Sequence, residues 1–305
     1  MWRAKAAPRR TSKSDPQLGA KRLVEDTCLP IQSSRLGFAK AGEIMNHKAA
    51  EKPEVLHVEF SDLIAALKAG WRDFMAAPFY GLFFASIYVI GGWLIFFAVT
   101  GQGQLWWTLA AAAGFPILGP FIACGLYDVS RRLETGQALN KGQIFTVIFK
   151  QKDRQIPSMA AVIVVFFLFW NFLSHMIFAL FLGNATMTNV SSSFAVFLSP
   201  SGLMMLTVGT MIGAIFSTLL FSLTVVSLPM LLEREVDFVT AMLASFDVVL
   251  ESPVVMLCWG ALIAMLLFIG MVPGFLGLFV VLPVLGHATW HLYRRAIAWP
   301  DAPHK

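Results

Sequence analysis

The chain has 305 residues, of which 57% are hydrophobic and only 13% charged, and its formal net charge is +5. Soluble domains carry about 25% charged residues, so there is too little polar side chain to cover a water-facing surface, which excludes a solvated globular enzyme, a disordered chain and a nucleic-acid-binding module. Together with a mean hydropathy of +0.69, this is the composition of a polytopic membrane protein. Cys28, Cys124 and Cys258 stand far apart with no metal-ligand spacing, so no structural disulfide is expected.

The first expected element is a basic cytoplasmic extension, residues 1–55. Its first fifty residues have helix breakers, scattered charges and no periodic stripe, and read as disordered. They contain no apolar h-region, so no signal peptide is expected. Two starts of translation stay open, Met1 and Met45, the second lying just before the first amphipathic segment.

A membrane domain follows over residues 56–299. A bilayer core of roughly 30 Å takes about 20 apolar residues in a helix. No Lys, Arg, Asp or Glu occurs between Asp73 and Asp128, and Gly101-Gln102-Gly103-Gln104 divides that run into spans near 79–99 and 105–127. The uncharged run from Gln155 to Leu232 divides at a Ser-rich stretch, 183–202, into spans near 156–182 and 203–232. A third run, Ser252 to Tyr293, breaks at Met271-Val272-Pro273-Gly274 into spans near 254–272 and 274–293, and a cytoplasmic tail, 300–305, ends the chain. The expected fold is therefore all-α: a six-span transmembrane helical bundle.

Charge alternates along the connections. Those after spans one, three and five have none, whereas Arg131, Arg132, Lys141, Lys150, Lys152 and Arg154 crowd the second and Arg294-Arg295 follows the sixth. The positive-inside rule then places both termini in the cytoplasm. In the fourth connection Glu233, Glu235, Asp237, Asp247 and Glu251 surround Arg234; acids weigh little in orientation, so span parity assigns its side. Facing the basic second connection, it is expected to pair with it.

An internal repeat organises the spans. Asp62–Trp71 aligns without a gap on Asp237–Phe246, and Pro78 then aligns with Pro253 at the mouth of the next span. Each copy carries an apolar stripe at helical spacing and reads as an amphipathic helix at the membrane interface. Pro120 precedes Arg131-Arg132 by the same interval as Pro283 precedes Arg294-Arg295, and a weaker third copy runs from the basic stretch Lys141–Gln155 to Pro229. Three hairpins are expected, each an interfacial helix, a span, a turn and a proline-bearing return span, related by an axis along the membrane normal.

With Trp71-Arg72-Asp73-Phe74 before Pro78, the core Gly114-Phe115-Pro116-Ile117-Leu118-Gly119-Pro120 and the exit Tyr127-Asp128-Val129-Ser130-Arg131-Arg132-Leu133-Glu134, the chain resembles a bacterial family of predicted integral membrane proteins known only as a domain of unknown function. The resemblance covers roughly Val58 to Trp299. It implies an inner-membrane location in a bacterium and supplies neither an activity nor a functional residue.

Ionisable side chains at membrane depth are the default candidates for function. His287 and His291 share a helix face four residues apart, the spacing of a metal pair, although no further ligand lies nearby in sequence and snorkelling to headgroups is the simpler reading. His175 lies near the far end of an outward span, at a different depth, which opposes haem bridging. Asn171, Ser174 and His175 form one polar face at i, i+3 and i+4, expected to point into the bundle as an intramembrane polar site or as interhelical hydrogen bonds. Pro120, Pro229 and Pro283 break or kink the return spans, either for packing or beside a permeation path. Gly209 and Gly213 form a close-packing motif, while Trp106, Trp107, Trp290 and Trp299 read as interfacial anchors. No nucleotide-binding loop, zinc-protease motif or nucleophile elbow occurs, so neither catalytic residue nor cofactor is assigned. The expected function is a non-enzymatic accessory or assembly component whose partners are the lipid bilayer and other membrane-protein subunits, with no nucleic acid. A transporter or channel for a small solute and a metal- or haem-binding membrane protein are the alternatives.

Overall fold

Proline marks where the long apolar helices begin, because the first helical turn needs no N–H donor and proline's fixed φ suits it. The computed structural model describes residues 53–102, 105–183 and 194–300. In chain order its elements are β1 (Glu54–Val55), α1 (Phe60–Ala76), α2 (Pro78–Gln102), α3 (Leu105–Glu134), α4 (Lys141–Lys150), α5 (Ile156–Leu182), α6 (Pro200–Thr224), α7 (Ser227–Glu233), α8 (Phe238–Glu251), α9 (Pro253–Met271), α10 (Leu278–Ala296) and β2 (Ile297–Ala298). Pro78, Pro200 and Pro253 are the first residues of their helices, and Pro157 the second of α5. The expected disordered extension up to residue 52, the Met45 start, the side chains of Trp106 and Trp107, and the tail after residue 300 lie outside the described residues.

Four stretches are long and apolar enough to cross a membrane: Pro78–Phe97, Ile156–Leu182, Pro200–Glu233 and Pro253–Met271. Their outward side chains, among them Leu94, Phe172, Leu180 and Phe268, are well exposed, as expected where the surrounding solvent is hydrocarbon. Among the described residues α3 and α10, which hold the second and sixth expected spans, do not stand out by that measure; both end in an arginine pair, and α10 buries His287, Thr289 and His291. α3 packs against α2, α5 and α10, α6 against α5 and α8, and α10 against α1, α2 and α9. Trp259, Met256, Met230, Trp290 and Tyr293 fill the core between them.

The expected span 203–232 is not one helix. Pro229 lacks an N–H, and its ring crowds the carbonyl four residues back, at Val225; α6 ends at Thr224 and α7 begins at Ser227. Ser245 of α8 repairs the gap. Its hydroxyl donates to the Ser222 carbonyl at 2.7 Å and accepts from the Val226 N–H at 3.1 Å, standing in the rung that an unbroken helix would close directly.

α1 and α8 end alike. Ala77 (φ −138°, ψ 52°) and Ser252 (φ −133°, ψ 60°) follow their last residues, and each precedes the proline that opens the next helix. In the alignment of Asp62 on Asp237, the buried residues Ala66, Gly70, Asp73 and Phe74 of α1 match the buried Ala241, Ser245, Val248 and Val249 of α8. Gly70 lies against α10 so closely that a Cβ there would sit 2.6 Å from the Ala288 nitrogen and 2.7 Å from the Val284 oxygen.

Two-residue strands join the ends of the described chain. Glu54 pairs with Ala298 and Val55 with Ile297, antiparallel, and the Leu56 N–H reaches the Ala296 carbonyl at 2.9 Å. Residues 54–55, read from sequence as part of the extension, are therefore structured, because β2 offers them backbone partners that a local reading cannot see.

Candidate functional site

α1 turns one aspartate inward. Its buried stripe carries Asp73 at the position where α8 has Val248, and a carboxylate on such a face is costly unless it finds hydrogen-bond partners. Asp73 is 3% exposed, and its Oδ2 lies 2.7 Å from Nε2 of His291 on α10. The Ser130 hydroxyl of α3 is a further influence that lowers the pKa of this carboxylate, and Ser130 Oγ is 2.7 Å from Nδ1 of His287. Burial raises the Asp73 pKa, yet the hydrogen bond and electrostatic pull of His291, with the Ser130 hydroxyl, outweigh it and hold the carboxyl below its ordinary range. The pairs His291–Asp73 and His287–Ser130 thus tie α10 to α1 and to α3.

Ser130 and His287 are fully buried, and His291 lines a cleft of about 970 Å³. Ala65, Ala69, Ile297 and Trp299 wall this cleft, and Lys68, Arg72, Arg294 and Arg295 give it a basic rim beside Glu54 and Glu134.

The rim is braced from behind. Glu233 accepts from Arg294 at 2.9 Å and from the Tyr293 hydroxyl, Glu134 accepts from the Trp290 indole at 3.0 Å, and Arg295 lies 3.5 Å from Asp62. On α3, fully buried Asp128 holds Arg132 at 2.7 Å and also binds Arg131; Arg132 extends to Gln143 of α4 at 2.9 Å. Arg154 of the basic connection reaches the Leu232 and Arg234 carbonyls at 3.2 and 3.1 Å, and Glu235 only at 4.0 Å. The expected pairing of the second and fourth connections is thus made mainly to backbone.

Several sequence-derived candidates stand elsewhere than expected. His287 and His291 are buried and bonded, not snorkelling, because Ser130 and Asp73 offer them partners inside the protein. Among the described residues no group of three His, Cys, Asp or Glu side chains is placed to hold a metal ion. Asn171, Ser174 and His175 do not converge inside the bundle: each bonds a carbonyl of its own helix, at 3.0, 2.9 and 2.7 Å, and His175 is exposed. Backbone one turn back satisfies them more cheaply than a distant helix. Only Ser174 fronts the groove of about 490 Å³ between α5 and α6, where Gly213 lies under Trp170 and Gly209 near Ile177. Pro120, Pro229 and Pro283 are buried. Trp290 and Trp299 face inward, bonded to Glu134 and Tyr293, not to lipid. Sequence reasoning missed Asp73 and Ser130; the signal available for Asp73 was its alignment with an apolar residue in the second copy.

No curated protein and no solved structure matches the chain. The expected family resemblance is found over a shorter stretch than Val58 to Trp299, one that holds the Gly114–Pro120 core and the Tyr127–Glu134 exit but not Trp71–Phe74. Across residues 108–233 the chain matches the model of a family described as predicted integral membrane protein (DUF2189), a family of unknown function.

Proposed function

We propose that the protein crosses a bacterial inner membrane six times as three two-helix hairpins, with both termini cytoplasmic, and serves there as a non-enzymatic accessory or assembly component. The packing order supports the hairpin reading. α1, leading the first hairpin, lies on α10, the return of the third; α4, leading the second, lies on α3, the return of the first; α8, leading the third, lies on α6 and α7, the return of the second. The long helices follow the same rule, α3 against α5, α6 against α9 and α10 against α2. One relation from each hairpin to the next, closing on itself, is what parallel repeats about an axis along the membrane normal produce.

The accessory role rests on where the polar groups are. They gather at the charged end of the helices, in a network bonded within the protein and opening on a surface cleft. The cavity among α2, α3, α9 and α10 is small, about 170 Å³, and lined mainly by apolar side chains such as Phe84, Ile122, Leu126 and Leu267. A solute path needs polar groups between the hairpins, and Asn171, Ser174 and His175 do not line this cavity.

Two measurements test the proposal. Cysteines introduced at Gly274 and Pro300, on either side of α10, are expected to be labelled from opposite sides of the membrane; labelling from one side removes the six-span topology. Crosslinking in native membranes followed by purification is expected to recover a defined membrane subunit in fixed ratio. Recovery of the protein alone, with solute uptake by proteoliposomes that contain it, overturns the accessory role in favour of transport.

A further inference from the structure

At 100° per residue, α1 has three adjacent strips on its exposed side. Phe60, Ile64, Trp71 and Met75, each about half exposed, form an apolar stripe. Lys68 and Arg72 come next, and Ala65 and Ala69, which wall the basic cleft, lie beyond them. Ala77 alone separates α1 from Pro78, where an apolar membrane-length helix starts. An amphipathic helix at such a point lies in the headgroup layer with its apolar stripe toward the acyl chains, which sets the two cations at the level of lipid phosphates.

Both cations lack firm compensation. Like charges one turn apart on a helix repel. Lys68 has no ion-pair partner among the described residues. Arg72 is 76% exposed in its side chain and comes only within 3.9 Å of Asp73, a carboxylate already held by His291. Behind them the cleft is wide enough for a headgroup and has Arg295 on its rim.

We propose that Lys68 and Arg72, with this cleft, seat the phosphate of an anionic phospholipid. A free phosphate ion would use the cations and gain nothing from the adjoining apolar stripe, whereas a lipid uses both at once. The site requires only that α1 lie at a membrane surface and is independent of the accessory role.

Phosphatidylglycerol, phosphatidylcholine and inorganic phosphate titrated separately into the full-length protein in detergent, with binding read by native mass spectrometry, test this. Phosphatidylglycerol is expected to bind more tightly than phosphatidylcholine. A basic residue near a lipid surface contributes about fivefold in affinity, so Lys68→Gln with Arg72→Gln is expected to weaken phosphatidylglycerol roughly 30-fold, weaken zwitterionic phosphatidylcholine by less, and leave the melting temperature unchanged. Should that pair melt early, each single variant carries the test with a loss of about fivefold. Equal affinity for the two lipids, undiminished phosphatidylglycerol binding by the variants, or displacement of the lipid by an equal concentration of inorganic phosphate overturns the proposal.

Discussion

Nε2 of His291 lies 2.7 Å from Oδ2 of Asp73 and joins α10 to α1 across 218 positions of chain. Because this contact holds the Asp73 pKa below its unfolded value, its contribution to stability is complete above the ordinary carboxylate range, near pH 4, and is lost as pH falls through the lowered native value. Wild-type protein in detergent is expected to lose thermal stability on acidification through this window, and Asp73→Asn to lose less over it while starting about 1–3 kcal/mol lower at neutral pH. Melting followed by tryptophan fluorescence at a series of pH values checks both. Identical acid profiles would sink the assignment.

Gly70 meets backbone on two sides, Ala288 nitrogen and Val284 oxygen. Neither can rotate away, so Gly70→Ala is expected to destabilise by about 1–3 kcal/mol despite alanine's better helix propensity. Gly209→Ala is the contrast. A Cβ there meets only Ile177 at 3.9 Å, and the expected effect is neutral or stabilising by up to about 1 kcal/mol. Denaturation midpoints of the two variants should move apart.

Ser245 and Pro229 act on the same break. Ser245→Ala leaves the buried Ser222 carbonyl and Val226 N–H without the hydroxyl that bridges them, at an expected cost of about 1–3 kcal/mol. Pro229→Ala lets those groups approach a direct helical bond, so the double variant is expected to lose less than the sum of the two singles. A double-mutant cycle measures the difference, and strict additivity would show that the break and the hydroxyl are unrelated.

Glu233 and Glu235 are two residues apart and differ in consequence. The first, 19% exposed in its side chain, binds Arg294 and Tyr293; the second is 92% exposed and 4.0 Å from Arg154. Glu233→Lys is expected to destabilise by roughly 2 kcal/mol or more, since it sets a new cation beside partly buried Arg294, whose remaining carboxylate partner is Glu134 at 3.4 Å. Glu235→Lys is expected to stay within about 0.5 kcal/mol of wild type. Thermal scans of both variants in one detergent decide it.

The helices were legible because their signals are one-dimensional: uncharged runs of membrane length, prolines at the mouths and a polar or glycine-rich break between. α4 and α8 followed from their amphipathic stripes. The site was less legible because its bonds are between distant segments. Asp73 reads as one charge in an amphipathic stretch, Ser130 as a hydroxyl beside two arginines, and nothing in either neighbourhood announces His287 or His291. Trp290 and Trp299 show the reverse error: aromatic rings near a span's end are usually lipid anchors, but here Glu134 and the Tyr293 hydroxyl draw their indoles inward. Asn171, Ser174 and His175 stand within one turn of each other on α5, and spacing alone cannot tell whether a polar side chain bonds a neighbour or, as here, its own helix.

The contact between α1 and α10 also sets a timetable for biosynthesis. At roughly 5–20 residues per second, a ribosome that has just made Asp73 needs about 10–45 s to make His291, 218 positions later. Through that interval the inward face of α1, with its carboxylate and its bare Gly70, has no α10 to meet. Until α10 is made to receive it, α1 must therefore keep its aspartate solvated.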